Sequence, residues 1–297
     1  MDLRQLQYIL TIAQENNITR AAEKLFITQS ALNQQLLKLE KELGTPLFHR
    51  SRTNWHPTPA GEIYLQAAEQ ILQIKKDTYN KIYDIAGLQK GRLSVGFTPG
   101  RGIAMFSHVY PLFHRMHSNI LVTPRELSVH SQQELLLSGD LDLGFVTLMP
   151  SQQKTSLRYI RLARERILAA VPARYPTDLM PVPDLFALRE EPFVLTYQES
   201  TLREITDDIF RKAGFAPHVL FETSSNATIA TMVSSELCCG LIPEYYLKGC
   251  EERIRSFPLP ENPTWDIMAC CHKKRYLSKA ARDFISLAEK FWAENLQ

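Results

Sequence analysis

The 297-residue chain carries 34 Lys and Arg against 32 Asp and Glu, and its formal net charge of +2 excludes a general attraction to polyanions along the whole chain. Its length suits about two or three domains, and a hydrophobic fraction of 44% is enough for sizeable cores. Because we find neither a signal peptide nor an apolar run long enough to cross a bilayer, we expect a cytoplasmic protein without a membrane partner.

The chain opens with an amphipathic helix, in which Leu3, Leu6, Leu10 and Ala13 share one face. A second, shorter helix is predicted to begin at Thr19, whose hydroxyl can cap it. Small apolar residues after this cap would let another helix approach closely.

A longer helix is predicted to follow its cap, Thr28. Its apolar stripe is formed by Leu32, Leu36, Leu39 and Leu43. The opposite face is polar and uncharged and contains Gln29, Ser30, Asn33 and Gln34. Amides and hydroxyls of this kind can hydrogen-bond base edges in the major groove of DNA. The alternative is an ordinary helix pair with a solvated polar face.

A basic hairpin is predicted next. Gly44 can end the helix, and Leu47 and Phe48 begin a short strand. A turn at residues 53–54 is then flanked by Arg50, Arg52 and His56. Cations at a hairpin tip suit phosphates or the minor groove. Three helices and such a hairpin predict a winged helix-turn-helix, which places a helix in the major groove.

These residues resemble the LysR-type transcriptional regulators. The matching positions are Ala21-Ala22, Leu25, Gln29-Ser30-Ala31-Leu32, Leu39-Glu40, Leu43-Gly44, Leu47-Phe48, Arg50 and Thr58-Pro59-Ala60-Gly61. The resemblance is highly specific over residues 1 to about 65 and continues more weakly to the C-terminus. Asn33 stands where the family usually has Ser, and Pro57 where it usually has Leu. We therefore expect differences in operator preference and in packing of the wing.

The expected partner of this domain is double-stranded DNA with a pseudo-palindromic operator. The residues predicted to read bases are Gln29, Ser30, Asn33 and Gln34. Those predicted to position the DNA backbone or the wing are Thr28, Lys38, Arg50 and Arg52. The resemblance also implies RNA polymerase as a partner.

A long helix is predicted next, with Thr58 as its cap and Pro59 in its first turn, and it runs to about Leu88. Apolar residues recur in it at near-heptad spacing, at Tyr64, Ala68, Ile71, Thr78, Ile82 and Ile85. The helix either packs on its own domain or joins two subunits. We favour the second, because a helix of this length between two domains must bury its stripe. The resemblance agrees with a dimer interface here, and it implies a tetramer through the regulatory domains.

Residues 91–297 alternate strand-like and helix-like segments, the pattern of an α/β domain. Strands are predicted over 92–97, 120–127, 141–146, 194–197, 219–221 and 240–242, and helices over 102–117, 132–138, 202–213, 227–234 and 280–292. By analogy with the family, two subdomains of the periplasmic-binding-protein type are joined by crossing strands near 165–171 and 266–271.

The predicted organisation therefore has three parts. Residues 1–58 form a winged helix-turn-helix DNA-binding domain, 59–90 a linker and dimerisation helix, and 91–297 an effector-binding regulatory domain. Subdomain I of the regulatory domain comprises 91–162 and 267–297, and subdomain II comprises 163–266.

A ligand cleft is expected between the subdomains, where strands end and helices begin. Thr98 offers a hydroxyl there, Gly100 lets backbone N–H groups approach a ligand, and Arg101 could pair with a carboxylate. Each feature also has a plain interpretation as a turn or a helix cap. The resemblance implies that the effector is bound by Thr98, Gly100, Arg101, Ser128, Thr147 and Thr201. With Glu199 as the one acidic residue expected nearby, we predict a small anion, a carboxylate with an apolar or aromatic body.

Other chemistry finds little support. No CxxC motif occurs in the sequence, and the cysteines are of the kind found in a hydrophobic core. They are Cys238, Cys239, Cys250, Cys270 and Cys271. A redox-sensing regulator of the same family, using Cys238 or Cys239 with Cys250, is the alternative. His114 and His117 could make half a metal site, but no further ligand is evident, and we predict no metal and no cofactor.

We therefore predict a ligand-responsive, sequence-specific DNA-binding transcriptional regulator. A solute-binding module without DNA function and an enzyme are the alternatives from other classes. The basic wing argues against a solute-binding module without DNA function. The lack of a catalytic constellation opposes the second, and the chain is predicted not to be an enzyme.

Overall fold

A computed structural model describes residues 2–51, 55–88, 90–175 and 185–295. It divides into two compact units, Met1–Ile85 and Ala86–Gln297. Over the described residues, we find no helix that is both long and apolar enough to cross a membrane.

Three helices form the body of the smaller unit: α1 (Leu3–Glu15), α2 (Ile18–Lys24) and α3 (Gln29–Leu43). Their apolar faces meet in one core, to which Leu6, Ile9, Leu32 and Leu36 contribute fully buried side chains. Burial of these side chains is the main source of stability in a unit of this size.

Two local predictions for these helices are wrong. The cap of α2 is Asn17, whose side-chain oxygen accepts the backbone N–H groups of Thr19 and Arg20, so the helix begins before Thr19. Leu43 is 45% exposed and does not belong to the buried stripe of α3. It lies in the last turn, next to Gly44, whose positive φ of 71° ends the helix.

The wing consists of β1 (Phe48–His49) and β2 (His56–Pro57), paired antiparallel. The predicted turn at residues 53–54 and Arg52 lie outside the described residues. After the wing, the Thr58 hydroxyl accepts the Gly61 backbone N–H at 3.0 Å and caps α4 (Pro59–Ile85), as expected.

The long helix α4 buries only the first part of its stripe. Tyr64 and Ala68 are buried in the core of the same unit, with Ile71 partly buried beside them. Farther along, Ile82 is 54% and Ile85 87% exposed. We expected the whole apolar stripe of α4 to lie between two subunits. This is wrong for the first half of the stripe, which packs on the core of its own unit. The helix is longer than the core it packs on, and the core covers only the part nearest α1.

The larger unit contains a mixed sheet and flanking helices. Its strands are β3 (Gly91–Phe97), β4 (Ile120–Glu126), β5 (Leu143–Leu148), β6 (Leu157–Pro172), β7 (Pro192–Thr196), β8 (His218–Thr223), β9 (Gly240–Pro243), β10 (Ile254–Pro258) and β11 (Thr264–His272). Its helices are α5 (Arg101–Met116), α6 (Val129–Ser138), α7 (Thr201–Ala213), α8 (Asn226–Ser234) and α9 (Lys279–Asn295). The predicted α/β class and the predicted elements are confirmed, with boundaries shifted by a few residues.

The main sheet runs β10-β6-β11-β5-β3-β4, and β9 also pairs with β6. One core surrounds Phe97, Phe113 and Phe284, and another surrounds Phe193 and Phe210. Strands β6 and β11 pair antiparallel along their length and supply residues to cores at both ends. The early start of β6 was not predicted, because Arg158, Arg161 and Arg164 recur every third residue and not every second. Strand β10 was not predicted either.

Candidate functional sites

The polar face of α3 is presented to solvent. Gln29, Ser30, Gln34 and Lys38 are exposed, and Asn33 is half-buried. The residues predicted to read bases therefore share one accessible surface, and their contacts with DNA remain a prediction. In a separate role, the Thr28 hydroxyl accepts the Ala31 backbone N–H at 3.2 Å and caps the helix.

Arg50, predicted as a cation of the wing, is bound within the protein. Its guanidinium pairs with the carboxylate of Glu40 in α3 and lies 5.6 Å from the ring centre of Trp55. The other Glu40 oxygen accepts the Leu47 backbone N–H at 2.8 Å. Arg50 thus joins the wing to α3, which suits positioning better than phosphate contact. Its predicted companion, Arg52, lies outside the described residues.

In the larger unit, a cavity of about 270 Å³ lies where α5, α6, α7 and α8 begin. Its lining consists of Thr98, Pro99, Arg101, Ser128, Val129, Thr147, Tyr197, Glu199, Ser200, Thr201, Ser224, Asn226, Tyr246 and Trp265. Five of the six predicted effector residues are brought together here. Gly100 is not in the lining, and its N–H, expected to be available to a ligand, donates to Glu126 at 3.3 Å.

The predicted hydroxyls differ in their availability. The Thr201 hydroxyl donates to the Thr147 carbonyl at 2.8 Å, and the Ser128 hydroxyl accepts the Ser131 N–H at 3.2 Å. Thr147 itself is buried, and its hydroxyl lies 3.4 Å from an Arg101 nitrogen. The Thr98 hydroxyl has no hydrogen bond to another described residue, so it is available to a ligand.

Arg101 is not the unpaired cation that the sequence suggested. It is only 4% exposed, and its guanidinium pairs with the carboxylate of Glu165 in β6. Glu165 also accepts the Trp265 indole N–H at 2.8 Å and the Tyr245 backbone N–H at 2.6 Å. The expectation that Glu199 is the one acidic residue nearby is therefore wrong, because β6 brings a second carboxylate from a distant part of the chain.

Aromatic rings enclose the same guanidinium. Its central carbon lies 5.2–5.6 Å from the ring centres of Tyr245, Tyr246, Trp265 and Trp292. Burial raises the pKa of Tyr246, so its hydroxyl stays neutral. These aromatic residues were missed. A glutamate inside the apolar strand around residue 165 was the one signal that could have pointed to this cluster.

The helix N-termini determine what the cavity can bind. Ser128, Ser200 and Ser225 cap α6, α7 and α8, each through its side chain. A capping side chain satisfies only part of the N–H groups that a helix leaves unpaired, and the remainder favour an anion. Asn226, at the start of α8, also has a buried side-chain oxygen with no partner among the described residues. The helix N-termini suit a small ligand with a negative charge, and the Asn226 oxygen, which is an acceptor, suits a hydrogen-bond donor on that ligand.

The redox alternative finds little support in the cysteines. All five are free thiols, and all except the half-buried Cys250 are buried. Burial raises the pKa of Cys238 to about 11 and that of Cys239 to about 12. Since the thiolate is the reactive form, these thiols are poor peroxide sensors.

One member of the histidine pair, His117, has a structural role. The Nε2 atom of His117 lies 2.9 Å from a carboxylate oxygen of Asp283, which links α5 to α9. Over the residues that the structure describes, no group of three or more His, Cys, Asp or Glu could hold a metal ion.

Comparisons with known proteins cover both units. A model of the bacterial regulatory helix-turn-helix proteins of the LysR family matches residues 3–62, and one of the LysR substrate binding domain matches residues 86–293. The uncharacterized HTH-type transcriptional regulator YwbI of Bacillus subtilis (strain 168) is 30% identical over 296 residues, covering 98% of this chain and 97% of that protein.

Solved structures share the fold over nearly the whole chain. A full-length OxyR variant from Pseudomonas aeruginosa is 26% identical, with a TM-score of 0.69, covering 98% of this chain and 95% of that one. Full-length CbnR, solved in a complex with its target DNA, is 21% identical, with a TM-score of 0.60, covering 98% of this chain and 99% of that one.

Proposed function

The chain belongs to the LysR family of DNA-binding transcriptional regulators with an effector-binding domain, and we propose that a small anion bound in the cavity of the larger unit is its effector. The observation that carries this proposal is the convergence of the starts of α5 to α8 on one cavity. Free N–H groups at helix N-termini favour negative charge without a positively charged side chain.

The effector is proposed to have a carboxylate and an apolar or aromatic body. The carboxylate is held by N–H groups at the helix N-termini and by the hydroxyl of Thr98. The body lies against Tyr246 and Trp265. The Arg101 guanidinium does not support this class, because Glu165 neutralises it.

We propose the following functions for the parts of the chain. Residues 1–58 bind DNA, 59–90 join two subunits, and 91–297 bind the effector, with subdomains 91–162 plus 267–297 and 163–266. A change in the relative orientation of the subdomains would move the paired DNA-binding domains. As a DNA-binding regulator, the protein is proposed to act in the cytoplasm, together with RNA polymerase, and not as an enzyme.

The proposed dimer uses the exposed part of α4. Regulators of this family oligomerise, and the exposed side chains of Ile63, Ile74, Ile82 and Ile85 offer an apolar surface along one side of the helix. Two copies would present two recognition helices to a pseudo-palindromic operator. A tetramer through the larger units is proposed on the family resemblance alone.

Selection from a pool of randomised DNA duplexes tests the DNA function. We expect enrichment of a sequence with two half-sites related by two-fold symmetry, and loss of that enrichment in Gln34→Ala.

Effector binding is tested by thermal unfolding of the full-length protein with benzoate and, as a control without charge, benzamide. Stabilisation by benzoate that is lost in Ser224→Trp, which fills the cavity, supports the proposal, whereas equal stabilisation of both proteins contradicts it.

A further inference from the structure

The positive charge of Arg101 is balanced inside the protein. The Glu165 side chain is 0% exposed and accepts hydrogen bonds from three groups, namely the Arg101 guanidinium, the Trp265 indole and the Tyr245 backbone N–H. A buried carboxylate with three donors is held in one orientation. Arg101 still lines the cavity, but its charge has a partner before any ligand arrives.

The remaining lining supplies no second cation. Besides Arg101, the one Asp, Glu, Lys, Arg or His in the described lining of the cavity is Glu199, which is exposed. An anionic group in the cavity is therefore stabilised by helix N-termini and the Thr98 hydroxyl, and not by an unpaired cation. A second carboxylate on the same ligand would find no free cation in this lining to offset its charge, and Glu199 would repel it.

We propose that Glu165 is a specificity-determining residue of the cavity, which neutralises Arg101 and so restricts the effector to singly charged anions. This inference rests on the proposed function of the cavity. In this view, a dicarboxylate with the same body is rejected because no guanidinium is available to it, and not because it lacks room.

Glu165→Gln tests the inference directly. Gln has the same shape and still accepts an N–H through its side-chain oxygen, but it leaves the Arg101 charge unbalanced. The probes are benzoate and phthalate, which share a ring and differ by one carboxylate. Titration calorimetry on the full-length variant should give a phthalate-to-benzoate affinity ratio raised at least about tenfold over wild type, since a guanidinium binds a carboxylate strongly. An unchanged ratio, or no binding of either probe to either protein, would overturn the proposal.

A double variant, Arg101→Gln with Glu165→Gln, shows whether the gain comes from the guanidinium. With both charges removed, the ratio should return to the wild-type value. A ratio that stays raised would contradict the role given to Arg101.

Folding of Glu165→Gln must be measured, because an unpaired buried cation is destabilising. If the variant is unstable on its own, phthalate should raise its unfolding temperature more than benzoate does, and an equal or absent effect overturns the proposal.

Adding Ser224→Trp to Glu165→Gln separates this inference from the proposed function. Benzoate binding that survives the Trp takes place outside the cavity and overturns both. Phthalate binding that survives while benzoate binding is lost overturns only the inference, as does benzoate binding that the Trp removes with no change of ratio in Glu165→Gln.

Discussion

Glu40 in α3 and Arg50, directly after β1, form an ion pair that joins the predicted recognition helix to the wing. Glu40 is 8% exposed and has its second oxygen on the Leu47 N–H. These contacts hold the wing in a defined orientation relative to α3. A substitution of Glu40 or Arg50 should therefore weaken DNA binding even if neither residue contacts DNA.

Arg50→Gln should weaken operator binding without changing its dependence on salt. A lysine or arginine on a phosphate contributes about 0.9 to the slope of log affinity against log salt, whereas Arg50 is paired with Glu40. Operator binding measured by fluorescence anisotropy at several salt concentrations gives the slope. Glu40→Gln should behave in the same way. A slope that falls by about one unit in Arg50→Gln alone would mean that Arg50 contacts a phosphate.

Gln34→Ala should cost about 1–3 kcal/mol of operator binding and relax specificity at one base position, because an exposed amide of α3 is lost. Lys38→Ala is the matched control on the same helix. It should weaken all sequences similarly and lower the salt slope. Binding of a panel of operators with single base changes distinguishes the two results. If Gln34→Ala weakens every operator equally, the assignment to base reading is wrong.

Ile82→Glu should dissociate the dimer and leave the fold of the smaller unit intact. Ile82 is 54% exposed in a single chain, so a charged side chain there stays in water in the monomer. In the dimer the same charge would be desolvated without a partner. Sedimentation equilibrium measures the association, and circular dichroism checks the fold. Asn80→Glu, at a position that a helical wheel places away from Ile82, is the control and should stay dimeric. A well-folded wild-type monomer at micromolar concentration would contradict the proposed interface.

Thr98→Val should lower benzoate affinity by about 0.5–1.5 kcal/mol, since it replaces an available hydroxyl by a methyl group of similar size. Titration calorimetry on the full-length protein gives the affinity. Operator binding without benzoate should not change, because the substitution lies in the larger unit. Equal benzoate affinities in wild type and variant would remove Thr98 from the site.

Cys238 should resist alkylation by iodoacetamide at pH 8 in the folded protein and react fully only as the pH rises towards about 11. The Cys250→Ser variant removes the half-buried thiol that would obscure the measurement. Since the folded-state pKa lies above the ordinary value of 9.0, the contribution of this thiol to stability is present below pH 9 and is lost as the pH rises through about 11. Fast alkylation at pH 8, with loss of operator binding in peroxide, would favour the redox alternative.

Local patterns predicted much of this protein. The stripe of Leu32, Leu36 and Leu39 specified α3 and its buried face, and Thr58 with Pro59 marked the start of α4. Such signals lie within one or two helical turns, where capping and periodicity act. The polar turn at Thr98 was found in the same way, because it follows a strand and precedes a helix.

The tertiary structure decided which charged and apolar groups are available for binding. Arg50 and Arg101 are both arginines in predicted sites, but Glu40 and Glu165 pair with them from other elements. The same holds for α4, where the core of the smaller unit covers Tyr64 and leaves Ile85 exposed. A sequence pattern records which side chains share a face. Whether a charge or an apolar surface is already satisfied depends on contacts between residues far apart in the chain, and those exist only once the chain has folded.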